Sequence, residues 1–387
     1  MSTAPTFALI AGEASGDQLG GKLVAALHER FPGARCFGVG GRYMRDAGFE
    51  AWYDREVLSV MGLFEVTRHL PRLLRLRREL ERRILEARPD VFVGIDAPDF
   101  NLGLERKLKT AGVPTVQYVS PTIWAWRASR AAGVAEAADL VLCIFPFEPD
   151  LYRDLGIIAR YTGHPMADVI DNDPDRGAAR RALGLDPGSE PPLIALLPGS
   201  RHSEVERLTA PLLDAADRLA RRAGGARFVA ALADDATATS FRESLADHRD
   251  LDCAVVVGRS LEALAAADAV VCASGTASLE CVLVNRPPVV VYRMAGASHW
   301  LIDRLGLVKT PYIALPNILA GEALVPELVQ DQASGPRIAE AVEAWLGDPA
   351  RRETLRARFA ELHATLRQDA AASAAAAIGE LLERRRA

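Results

Sequence analysis

Short apolar runs alternate with stretches in which leucine, valine and alanine recur every three or four positions. Phe7-Ala8-Leu9-Ile10-Ala11 is the first such run; it stops at Gly12-Glu13-Ala14-Ser15-Gly16-Asp17, and Leu19, Leu23, Ala26 and Leu27 follow at helical spacing. A continuous apolar run followed by a 3.6-residue period reads as a buried strand and its crossover helix. Val91 to Ile95, Thr115 to Val119 and Leu140 to Phe145 continue this first series, and the last is expected to close it. Between Gly163-His164-Pro165 and Pro191-Pro192 the composition shifts to Asp, Pro, Gly and Arg, which predicts a domain boundary near residue 170.

A second series starts at Leu193 to Leu197 and continues through a helix from Val205 to Ala223, a strand at Phe228 to Leu232 and a helix near Ser240 to His248. Strands at Ala254 to Val257, Val270 to Ala273 and Pro287 to Tyr292 follow, and Tyr312 to Ala320 reads as a strand-like segment ending in a prolyl-asparagine loop. From about residue 336 the chain is alanine-rich and helical. The pattern therefore predicts two Rossmann-like α/β domains, 1–170 and 171–345, with a cleft between them. Helices in 346–387 are expected to pack back on the first domain or on a partner subunit. There is no internal repeat beyond the twofold βα rhythm.

Length agrees with two cores, because 387 residues exceed what one typical domain holds. The hydrophobic share of 49% and charged share of 25% are those of a soluble globular protein. A formal net charge of −5 argues against general nucleic-acid binding. The start, Met1 to Phe7, lacks the basic region of a signal peptide, and no run is long and apolar enough to span a bilayer. Cys36, Cys143, Cys253, Cys272 and Cys281 are odd in number and lack zinc-type spacing, so buried reduced thiols in a cytoplasmic protein are expected.

Ligands of open α/β sheets lie outside the carboxyl ends of the strands, so the loops there carry the candidate chemistry. After the first strand, Glu13 and Asp17 would repel a pyrophosphate and suit a hydroxyl-bearing or cationic ligand; Glu13 reads equally well as an acid at a helix start. Asp96 and Asp99 follow Val91 to Ile95, where one acid could act as general base or cap a helix. Trp124 and Trp126 follow Thr115 to Val119 and could stack on a sugar, wall an acyl pocket or simply pack. Arg201, with Ser200 before it, arrives at the end of Leu193 to Leu197 and could grip phosphate oxygens with its planar fork.

In Val270 to Glu280 a strand gives way to Ser274-Gly275-Thr276 and then to a helix. Such a helix start offers unpaired N–H groups and a positive dipole end to a diphosphate, and hydroxyl donors besides; an ordinary capped turn would look the same. Asp171, Asp173, Asp175, Asp250 and Asp252 form Asp-x-Asp triplets in linker-like or loop sequence, which weigh little as metal sites. From Leu58 to Leu85 the apolar run containing Met61 and Phe64 leads into a helix bearing Arg68, Arg72, Arg75, Arg77, Arg78, Arg82 and Arg83 against Glu79 and Glu81. That pattern suits a membrane surface, or a core-facing helix with solvated arginines.

Acids in one domain and diphosphate donors in the other form the layout of a two-domain nucleotide-sugar glycosyltransferase. Six blocks in order, Gly12 to Asp17, Gly94 to Asn101, Tyr118 to Pro121 with Trp124-Ala125-Trp126, Leu197 to Arg201, Ala273 to Ala277 with Glu280, and Leu315-Pro316-Asn317, resemble the lipid-A-disaccharide synthase family. The resemblance implies a GT-B fold and an enzyme peripheral to the cytoplasmic face of the inner membrane. It would join UDP-2,3-diacylglucosamine to 2,3-diacylglucosamine 1-phosphate through a β-1,6 bond and release UDP. No cofactor is expected, and no metal is needed, since fixed donors and Arg201 can supply the charge.

On both readings together, Asp99 is the first candidate base and Glu13 or Asp96 the next. Arg201, Ser200, Ser274, Gly275, Thr276, Glu280 and Asn317 are expected at UDP; Trp124, Trp126, Met61, Phe64, Arg72, Arg75 and Arg78 are expected at the acceptor, its lipid or the membrane. Expected partners are the two acylated sugars and the membrane surface, with a homodimer left open and no nucleic acid. The stretches from Pro121 to Trp124 and from Ala295 to Asp303 depart from the family pattern. Rival readings are another GT-B enzyme, such as a UDP-sugar 2-epimerase or the undecaprenyl-linked GlcNAc transferase, and a non-catalytic UDP-sugar sensor.

Overall fold

A computed structural model describes residues 4–59, 66–122, 130–188, 190–222, 224–294 and 311–386. The chain forms two compact units, one of Met1–Asp168 with Leu366–Ala387 and the other of Val169–Thr365.

The first unit holds a 7-stranded sheet in the order β3-β2-β1-β4-β5-β6-β7, with every described pairing parallel. Its strands are β1 (Thr6–Ala11), β2 (Arg35–Val39), β3 (Glu50–Tyr53), β4 (Val91–Ile95), β5 (Thr115–Tyr118), β6 (Leu140–Cys143) and β7 (Ile158–Tyr161). Both faces are covered, so the apolar runs sort by parity: Phe7, Leu9 and Ala11 enter one core and Ala8 and Ile10 another. Helix α1 (Ala14–Arg30) supplies Leu23, Val24 and Leu27 to the first of these cores.

After α2 (Arg42–Asp46) and α3 (Glu56–Ser59), helix α4 (Val66–Ala87) supplies Leu80 and Ile84, and α5 (Pro98–Thr110) supplies Phe100, Leu104 and Leu108, to the second core. A further helix, α6 (Arg130–Ala137), precedes β6.

The second unit repeats the plan with a 6-stranded parallel sheet in the order β10-β9-β8-β11-β12-β13. Here β8 is Leu193–Leu197, β9 Arg227–Leu232, β10 Cys253–Val257, β11 Ala269–Ala273, β12 Pro288–Tyr292 and β13 Glu327–Val329. The helices are α7 (Arg176–Ala182), α8 (His202–Ala220), α9 (Asp235–Leu245), α10 (Ser260–Ala266), α11 (Thr276–Leu283), α12 (Leu315–Ala320), α13 (Gly335–Gly347) and α14 (Pro349–Leu366). Apart from α12, these helices pack apolar residues into one continuous core with the sheet.

Three sequence expectations are corrected. The first strand series does not close at Phe145, because β7 extends the sheet beyond β6. Strands β2, β3, β7 and β13 lacked a signal because they are short or lie at or near a sheet edge, where polar residues such as Arg35, Glu50 and Arg160 are tolerated and the continuous apolar run is lost. Tyr312 to Ala320 is not strand-like throughout: Leu315–Ala320 is helical, with Pro316 in the first turn, where its fixed φ fits and no N–H is needed.

The terminal helices divide between the units. Leu355 and Phe359 of α14 enter the second core, whereas Ala374, Ile378 and Leu381 of α15 (Ala370–Arg386) enter the first. The return is fixed locally, since the Asp168 carboxylate accepts the N–H groups of Asp369 and Ala370 at 3.0 and 2.8 Å.

Candidate functional site

Strand order locates the functional loops. In the first sheet the order reverses between β1 and β4, and in the second between β8 and β11. At such a switch point the flanking loops diverge to opposite faces and leave a crevice at the carboxyl ends of the strands. Glu13 follows β1 and Asp96 and Asp99 follow β4; Ser200 and Arg201 follow β8 and Ser274 to Thr276 follow β11.

In the first unit, Glu13 is exposed as the residue preceding α1. Asp99 is exposed in the first turn of α5, and Asp96 is half-buried at the end of β4. Burial raises the Asp96 carboxyl above its ordinary range, against the Ala97 N–H that it accepts. The turn between strand and helix is strained, since Asp96 and Ala97 have φ of 51° and 42° without being glycine. Val119, just past the neighbouring strand, has φ 77°, an unusual value for a β-branched residue.

Buried amides hold this turn. Asn101 Nδ2 donates to the Asp96 carbonyl at 2.8 Å and Gln117 Nε2 to the same oxygen at 3.3 Å. Strain maintained by buried hydrogen bonds at a strand end is a functional signal that no composition pattern shows. Asp17 departs from its expected role toward a ligand: it is buried, and its carboxylate accepts the N–H groups of Gly41, Tyr43 and Met44 at 2.7, 3.1 and 3.3 Å. It therefore fixes the start of α2.

In the second unit, β8 and β11 are paired, with Leu197 opposite Cys272, so their loops emerge side by side. Gly275 has φ 129°, a conformation strained for any residue with a Cβ, and it lets the chain turn straight into α11. The N–H groups of Gly275, Thr276 and Ala277 have no partner among the described residues and emerge at the positive end of the helix. Arg201 is 76% exposed and donates from Nη1 to Glu204 Oε1 at 2.8 Å. The other Glu204 oxygen accepts the N–H groups of Ser200 and Arg201, so a carboxylate occupies the mouth of this loop. Glu280 is largely buried on α11; burial pushes its carboxyl up to about 7, against a hydrogen bond from Ser260.

Two of the residues expected at UDP are engaged in the fold. The Ser274 hydroxyl donates to the Ile313 carbonyl at 2.8 Å and its N–H to the Val291 carbonyl at 3.1 Å, so it offers a ligand neither proton. Asn317 is buried: Nδ2 donates to the Val325 carbonyl and Glu327 Oε1, and Oδ1 accepts the Val325 N–H. Its amide protons pin the segment leading into β13 and are not open to a diphosphate. Asp173 and Asp175 are likewise occupied, the first by Arg356 at 2.9 Å and the second by the Ala178 N–H at 3.1 Å.

The sequence matches the lipid-A-disaccharide synthetase family model over residues 7–379. The chain belongs to that family. It is 48% identical to the lipid-A-disaccharide synthase of Xanthomonas campestris pv. campestris over 99% of this chain and 87% of that protein. Among solved structures it is similar to Acinetobacter baumannii MurG, with TM-score 0.59 at 13% identity over 97% of this chain and 99% of the other. It is also similar to Anabaena HepE in complex with UDP and glucose, with TM-score 0.57 at 13% identity over 98% and 100%. The two α/β domains are those of the GT-B fold, and this lipid-A-disaccharide synthase family member is a glycosyltransferase of lipid A synthesis.

The residues expected at lipid or membrane divide. Met61, Phe64, Trp124 and Trp126 lie outside the described residues. Arg72, Arg75 and Arg78 are exposed on α4, whereas Leu80 and Ile84 are buried against the sheet. Leu73, Leu76, Leu80 and Ile84 of α4 are therefore taken up by the core, while the three arginines stand exposed. No described helix is long and apolar enough to cross a membrane.

Sequence reading missed Ser260, Glu204, Glu105 and Gln117 as site neighbours. Only for Glu204 was there a local cue, an acid three residues after the helix-preceding position.

Proposed function

We propose that this glycosyltransferase joins UDP-2,3-diacylglucosamine to 2,3-diacylglucosamine 1-phosphate, with inversion at the anomeric carbon. What carries the reading is the placement of opposite chemistries at the two switch points, carboxylates at β1 and β4 and anion donors at β8 and β11. A carboxylate of the first unit takes the proton from the acceptor 6-hydroxyl as that oxygen bonds to the anomeric carbon. The bond from that carbon to the diphosphate breaks in the same step, and UDP leaves with the electron pair. A single displacement inverts the configuration and yields the β-1,6 linkage.

Asp99 is the first candidate base because it is exposed on the first turn of α5; Glu13 and Asp96 follow. Charge on the departing diphosphate is met by the N–H groups of Gly275 and Thr276 and by Arg201, which exchanges Glu204 for phosphate oxygens. Glu280 accepts from the ribose hydroxyls. Binding of UDP to HepE, a protein of the same fold, supports the donor class.

The acylated substrates call for a membrane surface, and Arg72, Arg75 and Arg78 supply its electrostatic contact. Reversing all three to glutamate is expected to release the protein from anionic vesicles, and equal co-sedimentation would discard this role. Mass spectrometry of the product from UDP-2,3-diacylglucosamine and the monosaccharide 1-phosphate tests the reaction. A disaccharide 1-phosphate with stoichiometric UDP is expected; UDP release without a disaccharide would overturn it.

A further inference from the structure

Beneath the strained Asp96 turn lies a group the reaction does not use. Glu105 is completely buried on α5, and neither carboxyl oxygen has a hydrogen-bond donor among the described residues. The Asn101 Oδ1 and Gln117 Oε1 atoms are buried and likewise without a donor among the described residues. These residues converge on one place. A Cβ built on Gly94 would lie 2.2 Å from Glu105 Oε1 and 3.0 Å from Asn101 Cγ, so the missing side chain is the room the cluster occupies. Gln117 is the register neighbour of Gly94 on β5, and its side chain leaves the sheet on that same face.

The orientation of both amides is set by their donors. Asn101 Nδ2 points to the carbonyls of Ile95 and Asp96, and Gln117 Nε2 to those of Asp96 and Val119. Neither can turn to offer Glu105 a proton without abandoning a buried carbonyl. A cluster of acceptors alone is unstable in a dry interior, and the group able to supply the missing hydrogen is the carboxyl in its neutral form. Burial acts in the same sense, pushing Glu105 up to about 8, while Lys109 on the same helix pulls it down. The Lys109 ammonium also faces Asp139, at 3.6 Å. Glu148, equally raised by burial, differs in accepting two N–H groups.

We propose that Glu105 is a positioning residue for the glycosyl transfer: as a neutral acid it donates its one O–H to an amide oxygen of the Asn101–Gln117 pair, and these amides in turn hold the Asp96 carbonyl and so aim the Asp96–Asp99 turn. This rests on the reading that the turn carries the base.

Three measurements on the full-length enzyme test it. Infrared difference spectra of wild type against Glu105→Gln at neutral pH should show one buried protonated carboxylic acid lost; its absence overturns the proposal. Glu105→Leu, which leaves both amide oxygens without a donor, should lower kcat about tenfold or more while UDP affinity is unchanged. Glu105→Gln, able to donate in its place, should restore kcat. Unaltered kcat in a folded Glu105→Leu protein, or equal loss in both variants, overturns the positioning role, and should Glu105→Leu not fold, the infrared result and the Glu105→Gln kcat still decide it. Full activity in both Asp96→Asn and Asp99→Asn would instead sink the reading of the base.

Discussion

The switch points of the two sheets are alike in topology and opposite in chemistry. At β1 and β4 the loops present carboxylates, and the chain tolerates positive φ at Asp96, Ala97 and Val119 because buried amides hold it there. At β8 and β11 the loops present backbone N–H groups and an arginine, and the sharp turn into α11 falls on Gly275, where strain is relieved. The contrast teaches that a parallel sheet supplies the location and its loops supply the sign of charge. On the proposed function it also separates two duties: the first unit would hold a proton acceptor in place, and the second would receive a leaving anion.

The largest expected effect tests that separation directly. Asp99→Asn should lower kcat by about 10²- to 10⁴-fold and leave UDP affinity as it was, measured by steady-state kinetics beside calorimetry. Retained turnover would move the base to Glu13 or Asp96. Arg201→Ala should do the reverse in kind, weakening UDP binding and lowering kcat by about 10²-fold, as for loss of one charge-stabilising donor. Unchanged UDP binding would remove Arg201 from the diphosphate site.

Gly275→Ala sharpens the strain comparison. A Cβ there meets nothing among the described residues within 4 Å, so the expected penalty is backbone strain at φ 129°, about 1–3 kcal/mol of unfolding free energy. A melting curve identical to wild type would show that the turn relaxes freely.

The smallest effect is one of pH. Glu280 is pushed up to about 7 by burial, and a carboxylate is a stronger acceptor than a carboxylic acid; if Glu280 receives the ribose hydroxyls as proposed, UDP affinity should rise a few-fold as pH goes from about 6 to about 8, and Glu280→Gln should flatten the rise. Its contribution to stability runs the other way. The folded form holds the proton more tightly, so that contribution is complete below the ordinary carboxyl value of 4.5 and is lost as pH rises through about 7. A pH-independent affinity would detach Glu280 from the ribose.

The amino-acid sequence by itself determined the α/β class, the apolar central strands and which residues stand at their ends, because burial on both faces writes a continuous apolar run and the following helix writes its own period. The positions of Glu13, Asp96, Arg201 and Gly275 were legible on that basis. Tertiary structure alone decided the strand order that turns those ends into switch points, the membership of edge strands such as β3 and β7, and the return of α15 to the first core. It also decided which polar side chains are already engaged. Asp17, Ser274 and Asn317 look like ligand groups along the chain, and each is taken by backbone brought to it from 8 to 39 residues away. The reason is physical: periodicity is local, whereas satisfying a buried donor or acceptor depends on whichever segment the fold lays beside it.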